Sequence, residues 1–116
     1  MAKPVILTNP LYQLLHEECI AEFNEHRARG ENAVLSGGDY RGLDLRNINA
    51  DGLDFSDAYF RNSDLRGVDF RNTQLEGASI AEAHISGCYF PAELSADEIR
   101  LSLNLGTRMR YRQSDK

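Results

Sequence analysis

Residues 53–72 read LDFSD, AYFRN, SDLRG and VDFRN when they are written in groups of five. The third residue of every group is Phe or Leu, and the first residue is uncharged. The fifth is Asp, Asn or Gly, residue types that tolerate the left-handed backbone of tight turns. A period of five is neither the 2.0 of a strand nor the 3.6 of a helix. The stretch therefore predicts a short extended segment followed by a corner, repeated along the chain.

The same period extends over residues 33–92 and gives twelve pentapeptides, each with an apolar or aromatic centre. The centres are Leu35, Tyr40, Leu45, Ala50, Phe55, Phe60, Leu65, Phe70, Leu75, Ile80, Ile85 and Phe90. The residue two before each centre is uncharged and mostly small, so the nine acids and five arginines of this region fall elsewhere. We expect these two positions to face inward and the other three to face solvent.

Three of these groups, at residues 53–57, 63–67 and 68–72, come close to the consensus A-(D/N)-L-x-x of the pentapeptide-repeat family. The chain resembles that family over residues 33–92, and its two ends resemble those of small bacterial members. The resemblance implies an all-β solenoid, a right-handed quadrilateral β-helix with four pentapeptides in each coil. Twelve pentapeptides then make about three coils, stacked about 4.8 Å apart and joined by backbone hydrogen bonds.

The flanks predict a helix at each end, because a β-helix has open ends that need covering. Asn9 and Pro10 mark the start of a helix over about residues 10–28, and Gly30 is its stop. Its apolar face, which either packs over the first coil or docks a partner, consists of Leu11, Leu14, Leu15, Cys19, Ile20 and Phe23.

Ser95 and Glu98 predict a capping box for a second helix that runs to about residue 104, with Gly106 as its stop. Residues 108–112 alternate basic and apolar, which predicts a short strand or a strap along the coils, or else a basic tail for an acidic partner. The chain is thus expected to be one domain, residues 1–116. It would have an N-terminal capping helix in 1–32, repeats in 33–92, and a C-terminal capping helix and tail in 93–116.

Composition narrows the classes of function. The net charge of −5 argues against a nonspecific nucleic-acid binder, which is usually basic. No apolar run is long enough to span a membrane, and the apolar stretch among the first eight residues is too short for a secretory signal. A cytoplasmic location is therefore expected. Cys19 and Cys88 have no metal-type spacing and are expected to be reduced thiols.

Catalytic motifs are absent from the sequence, and His16, His26 and His84 share no ligand-like spacing. Asp44 and Asp64 are expected to stack in successive coils, where they either compensate nearby arginines or form an acid–base pair. We expect no enzyme and no metal or other cofactor, with a catalytic site between the coils and a cap as the least favoured alternative.

Arginines form the candidate partner-binding face. In coils of twenty residues Arg41 lies over Arg61, and Arg46 lies over Arg66, on two neighbouring faces. The candidate residues are Arg41, Arg46, Tyr59, Arg61 and Arg66. They are either solvated surface, compensated by Asp39, Asp44 and Asp64, or a face for an acidic protein segment, phosphate or nucleic acid.

The function predicted from these features is a protein-binding or scaffold module whose partner is another protein. A homodimer through a capping helix is a further expectation. The alternative is a DNA-mimic regulator of a topoisomerase or another DNA-binding protein. The family that the chain resembles includes long acidic rods that bind topoisomerases, and residues 33–92 carry a net charge of −4. Three coils rise only about 10–15 Å, which is short for such mimicry.

Overall fold

The computed structural model describes residues 7–112, in which α1 spans Pro10–His16, α2 spans Ile20–Ala28 and α3 spans Ala96–Leu105. Between α2 and α3 the chain forms three stacked coils, at residues 33–52, 53–72 and 73–92. Six isolated parallel bridges join residues that are twenty apart, and no continuous strand occurs in the described range. Asp39 pairs with Tyr59, for example, and Tyr59 pairs with Ser79. Four pentapeptides therefore complete one coil.

Most of the corners between pentapeptides are turns of one kind. The backbone N–H of Val68 donates to the carbonyl of Leu65 at 3.1 Å, and the same bond recurs at eleven corners from residue 38 to residue 88. The last residue of the pentapeptide has a positive φ at ten of twelve corners, as at Asn62 (60°) and Gly67 (78°). A positive φ at this position of a turn defines type II, which explains the Gly, Asn and Asp residues found there.

The two inward positions lie where the period predicts them. Ten of the twelve central residues are buried, while Ile85 and Phe90 at the end of the last coil are half-buried. Centres stack on centres twenty residues away, as in Tyr40 on Phe60, with ring centroids 5.3 Å apart. The hydroxyl of Tyr40 donates to the carbonyl of Leu35 at 2.7 Å, so this buried polar group is satisfied. The predicted register is confirmed.

The prediction of one continuous helix over residues 10–28 is wrong, because the chain breaks between α1 and α2. Glu18 has a φ of 58° in this break, and its carboxylate accepts a hydrogen bond from the backbone N–H of Asp44 at 2.7 Å. The apolar face nevertheless packs over the first coil as predicted, with Leu11, Leu15 and Phe23 buried in the common core. Two short helices, and not one long helix, therefore cover this end of the coils.

Side chains from α1, α2 and their flanks pair with the outer edge of the first coil. The hydroxyl of Tyr12 donates to the carbonyl of Asp39 at 3.0 Å. The amide of Asn24 makes two bonds of 2.9 Å, donating to the carbonyl of Asn47 and accepting from the N–H of Asn49. Asn9 and Arg27 also donate to backbone carbonyls of this coil. The polar groups of the first edge thus find partners without another strand.

At the other end, α3 begins with half of the predicted capping box. The Oγ of Ser95 accepts from the N–H of Glu98 at 3.2 Å, and Gly106 ends the helix with a φ of 74°. The other bond of a capping box, from the N–H of Ser95 to the carboxylate of Glu98, does not form in the described residues, because that carboxylate accepts from the backbone and guanidinium of Arg110.

Residues 107–112 then run as a strap along the last coil, which is one of the alternatives that the sequence leaves open for residues 108–112. The N–H of Gly77 donates to the carbonyl of Met109 at 2.7 Å, and the N–H of Met109 donates to the carbonyl of Ala78 at 2.8 Å. Two of the three basic side chains of the strap have acidic partners, because Arg108 pairs with Asp57 and Arg110 pairs with Glu98. These contacts favour the strap over a free basic tail.

Replacing a central residue by an acid should unfold the coils. Phe70 is 2% exposed, so Phe70→Asp would bury an unpaired charge and empty the space of a phenyl ring. We expect a loss of more than about 3 kcal/mol in the free energy of unfolding, measured by urea denaturation followed by circular dichroism. Gln74→Asp, at an exposed outward position, is the control and should leave the midpoint nearly unchanged. An unchanged midpoint in Phe70→Asp would contradict the inward assignment.

Glu82 offers a stabilising change, because it occupies a corner with a φ of 55°. Glycine adopts this conformation without the steric cost that a side chain carries, so Glu82→Gly should raise the free energy of unfolding by about 0.5–1 kcal/mol. Glu76→Gly is the matched control at a position without positive φ, where added backbone freedom should destabilise. Melting temperatures of the two variants that shift in the same direction would refute this account.

Candidate partner-binding face

The five candidate residues lie on two neighbouring sides of the coils. Segments that are twenty residues apart stack on one another and form four faces. Face 1 begins with the segment at residue 33, face 2 with that at 38, face 3 with that at 43 and face 4 with that at 48. Arg41, Tyr59 and Arg61 lie on face 2, while Arg46 and Arg66 lie on face 3, as the bridges between residues 39 and 59 and between 44 and 64 require. About half of each arginine side chain is exposed. The predicted stacking of the arginines in two ladders is confirmed.

Three of these arginines are held by the aspartate two residues earlier in the chain. In face 2, the Nε and Nη2 of Arg41 donate to the two carboxylate oxygens of Asp39, each at 2.8 Å. The backbone N–H of Arg41 donates to the same carboxylate at 3.1 Å. Identical clamps join residues 44 and 46, 64 and 66, and, on face 4, 69 and 71. The sequence signal for each clamp is Asp-x-Arg.

The clamps extend across coils on face 3. Asp64 accepts from Arg66 at 2.7 Å, and its carboxylate also lies 3.3 Å from the Nε of Arg46 in the coil before. The hydrogen bond from Arg66 is the main cause that holds the pKa of Asp64 far below its usual range. Arg46 likewise lowers the pKa of Asp44. Neither carboxyl retains a proton near neutral pH, so the contacts favour charge compensation over an acid–base pair.

Arg61 lacks a clamp, because position 59 is tyrosine rather than aspartate. Its Nη1 lies 3.4 Å from the carboxylate of Glu82, a looser contact than in the clamped pairs. Tyr59 is half-buried between Asp39 and Ser79, with which it forms backbone bridges. Face 2 therefore presents one fixed guanidinium, one loosely held guanidinium and a tyrosine.

A fourth clamp on face 4 lies outside the predicted site. The guanidinium of Arg71 lies 4.3 Å from the centre of the Tyr89 ring, a cation–π arrangement. The sequence places Arg71 in register with Asp51, yet Arg71 binds Asp69, and Asp51 accepts instead from the side chain of Asn72 at 2.8 Å. The Asp-x-Arg spacing at residues 69–71 could have identified this pair.

Comparison with known families decides the classification. A family model for pentapeptide repeats matches residues 31–67 and 54–90, in eight copies. Together these ranges cover just over half of the chain. The chain belongs to the pentapeptide-repeat family. No curated protein and no solved structure gives a significant match.

Neither a metal site nor a membrane-spanning helix occurs in the described residues of this pentapeptide-repeat chain. Within residues 7–112, no group of three or more His, Cys, Asp or Glu side chains could hold a metal ion. No helix of the same range is long and apolar enough to cross a membrane. Both cysteines are free thiols, and burial raises the pKa of Cys88, whose Sγ donates to the carbonyl of Leu65.

The clamps predict how the carboxyl groups titrate. The guanidinium and backbone N–H of Arg71 lower the pKa of Asp69 to about 2. Since the folded pKa lies below the unfolded value of about 3.9, the clamp stabilises the fold above pH 4 and loses this contribution as the pH falls toward 2. Arg71→Gln should move the pKa of Asp69 toward 3.9, as read from carboxyl carbon shifts in an NMR titration.

Arg61→Gln is the control for this titration, because it removes an arginine that does not touch Asp69. The Asp69 pKa should stay near 2 in this control. If the pKa also stays near 2 in Arg71→Gln, the backbone hydrogen bond rather than the guanidinium holds it down.

Proposed function

We propose that the three coils are turns of a right-handed, four-sided β-helix and serve as a protein-binding module without catalytic activity. Bridges twenty residues apart and turns every five residues support this architecture. Membership of the pentapeptide-repeat family supports it as well. Such a module offers side chains at fixed spacings on flat faces, and binding to it costs little conformational entropy.

The fixed guanidiniums of faces 2 and 3 are the observation that carries this proposal. Arg41, Arg46 and Arg66 each use Nε and Nη2 to bind an aspartate. The remaining Nη1 groups make no hydrogen bond within residues 7–112 and keep donors for a partner. Because the clamps already restrict these long side chains, a partner carboxylate or carbonyl gains hydrogen bonds at a reduced entropy cost.

The charge of these faces indicates the kind of partner. Faces 2 and 3 together carry four arginines, and their four acids are Asp39, Asp44, Asp64 and Glu82, so the net charge of the two faces is zero. A polyanion such as nucleic acid would meet as many repulsive as attractive charges there. A protein surface with interspersed charges of both signs, with Tyr59 and Arg61 as contact residues, fits the two faces better.

DNA mimicry remains the second candidate, and faces 1 and 4 are its basis. These faces carry five of the nine acids of residues 33–92 but only one arginine, Arg71. None of the ion pairs within 4.0 Å in the described residues includes Asp51, Asp54 or Glu76. The described chain measures only 38 × 28 × 27 Å, which limits the length of duplex that it could imitate.

The proposal also includes a homodimer through a capping helix. Leu101 and Leu105 on α3 are 37% and 72% exposed. A second copy could cover these side chains, and sedimentation of Leu105→Lys against the unchanged chain would detect the loss of such a dimer.

One crosslinking experiment in the native cell distinguishes the two candidate functions. Arg41→Glu/Arg61→Glu should lose partners that the unchanged chain captures, because both substitutions reverse charge on face 2. The matched variant Asp54→Lys/Glu76→Lys reverses two charges on face 1 and should keep those partners. Both variants should melt within a few degrees of the unchanged chain, since all four side chains face outward. Loss of partners in the acidic-face variant alone would support the second candidate, and equal capture by all three chains would refute both.

A further inference from the structure

The outward edge of the last coil is paired on two faces and unpaired on the other two. On faces 1 and 2, α3 and the strap take the place of a fourth coil. The backbone N–H groups of Leu75, Gly77, Ile80 and Glu82 donate there to Tyr111, Met109, Ser102 and Leu103. In the coil before, Leu65, Gly67 and Phe70 donate to the coil above. The corresponding groups on faces 3 and 4 of the last coil have no partner within residues 7–112.

These unpaired groups form a regular array. The donors are the N–H groups of Ile85, Gly87 and Phe90, and the acceptors are the carbonyls of Ala83 and Cys88. Their equivalents one coil earlier all bind residues of the following coil, at 2.8–3.1 Å. Gly87 is exposed, and Ile85, Cys88 and Phe90 are half-buried. A row of unpaired donors and acceptors along such an edge is a template for pairing with the backbone of another chain.

We propose that residues 83–90 bind a segment of another protein by strand addition, and that this segment is extended along each of the two faces and bends once at the corner between them. Each coil places a small residue and, two positions later, a large apolar residue over the coil below. The segment that fits therefore carries the pattern small-x-large, repeated after five residues, so that its side chains continue the core beyond Ile85 and Phe90. This site uses backbone groups at the end of the stack and does not depend on the arginine faces.

The position of α3 favours a single segment over a second copy of the chain. Because Ser102 and Leu103 bind Ile80 and Glu82, α3 lies on the end of the stack, where face 2 of a fourth coil would be. A helix is about 10 Å thick, whereas paired backbones lie about 4.8 Å apart. The coils of a second copy cannot come that close to the edge past α3. A single strand beside α3 can do so.

A synthetic peptide with the sequence of residues 63–72 is a suitable probe. In the protein this segment lies directly beneath residues 83–92, so it already has the register that the edge requires. Stacked on the open edge, it would offer the N–H groups of its Asp64 and Asp69 to the two free carbonyls. The carbonyls of its Asp64, Arg66 and Asp69 would accept from the three free N–H groups. All five groups of the edge are then paired.

The test measures amide hydrogen exchange of the full chain by NMR, with and without this peptide. We expect protection of Ile85, Gly87 and Phe90 to rise about tenfold or more when the peptide saturates the site. Leu65, Gly67 and Phe70, which are bonded already, should not change. A control peptide that is N-methylated at the two positions matching Asp64 and Asp69 lacks both donors. Its affinity should be lower by about tenfold or more.

Several outcomes would overturn the strand-addition proposal. These are equal binding of the two peptides, protection elsewhere in the chain, or slow exchange of the three amides in the free monomer. Protection that rises with protein concentration alone would show that a second copy occupies the edge. Arg41→Glu/Arg61→Glu should bind the peptide as well as the unchanged chain does, so failure of the arginine-face proposal leaves this result unaffected.

Discussion

The corner after every fifth residue is the constraint on which the rest of this structure depends. Each corner is closed by a hydrogen bond from an inward-facing residue to the centre of the preceding pentapeptide, as from Val68 to Leu65. A positive φ at the intervening residue lets the chain turn in so few residues. Because the turns are nearly alike, centres such as Tyr40 and Phe60 return to the same place after twenty residues. The backbone bonds between coils follow from that return.

Much of this architecture can be predicted from the sequence, because the same five-residue pattern repeats and each repeat forms the same segment and corner. The inward positions and the starts of the first and last helices follow from local residue types such as Pro10 and Ser95. The break at Glu18 does not, since glutamate carries no signal for a left-handed backbone. Its conformation accompanies a contact with the N–H of Asp44, which lies far away in the sequence.

Sequence patterns also do not predict the hydrogen-bond partners of the capping side chains. Tyr12 and Asn24 pair with the first coil only because the paths of α1 and α2 bring them over particular carbonyls. The same holds for Glu98, which binds Arg110 twelve residues later rather than its own helix start. On the candidate face, the arginine ladders follow from the period, and the clamps follow from the Asp-x-Arg spacing. The partner is not encoded in these patterns, because regular outward positions serve solvation and recognition equally well.

Completion of a coil by four pentapeptides has a consequence for how such chains change in length. Insertion of one pentapeptide between two coils preserves every corner, yet it turns all later residues by one face relative to α1 and α2. Stacked pairs such as Arg46 with Asp64 would exchange partners, and the C-terminal helix would point in a new direction. Four inserted pentapeptides restore the original alignment of the two ends. The repeat number, counted in fours, thus determines the angle between the two termini, and gene duplications in whole coils lengthen the molecule without rotating it.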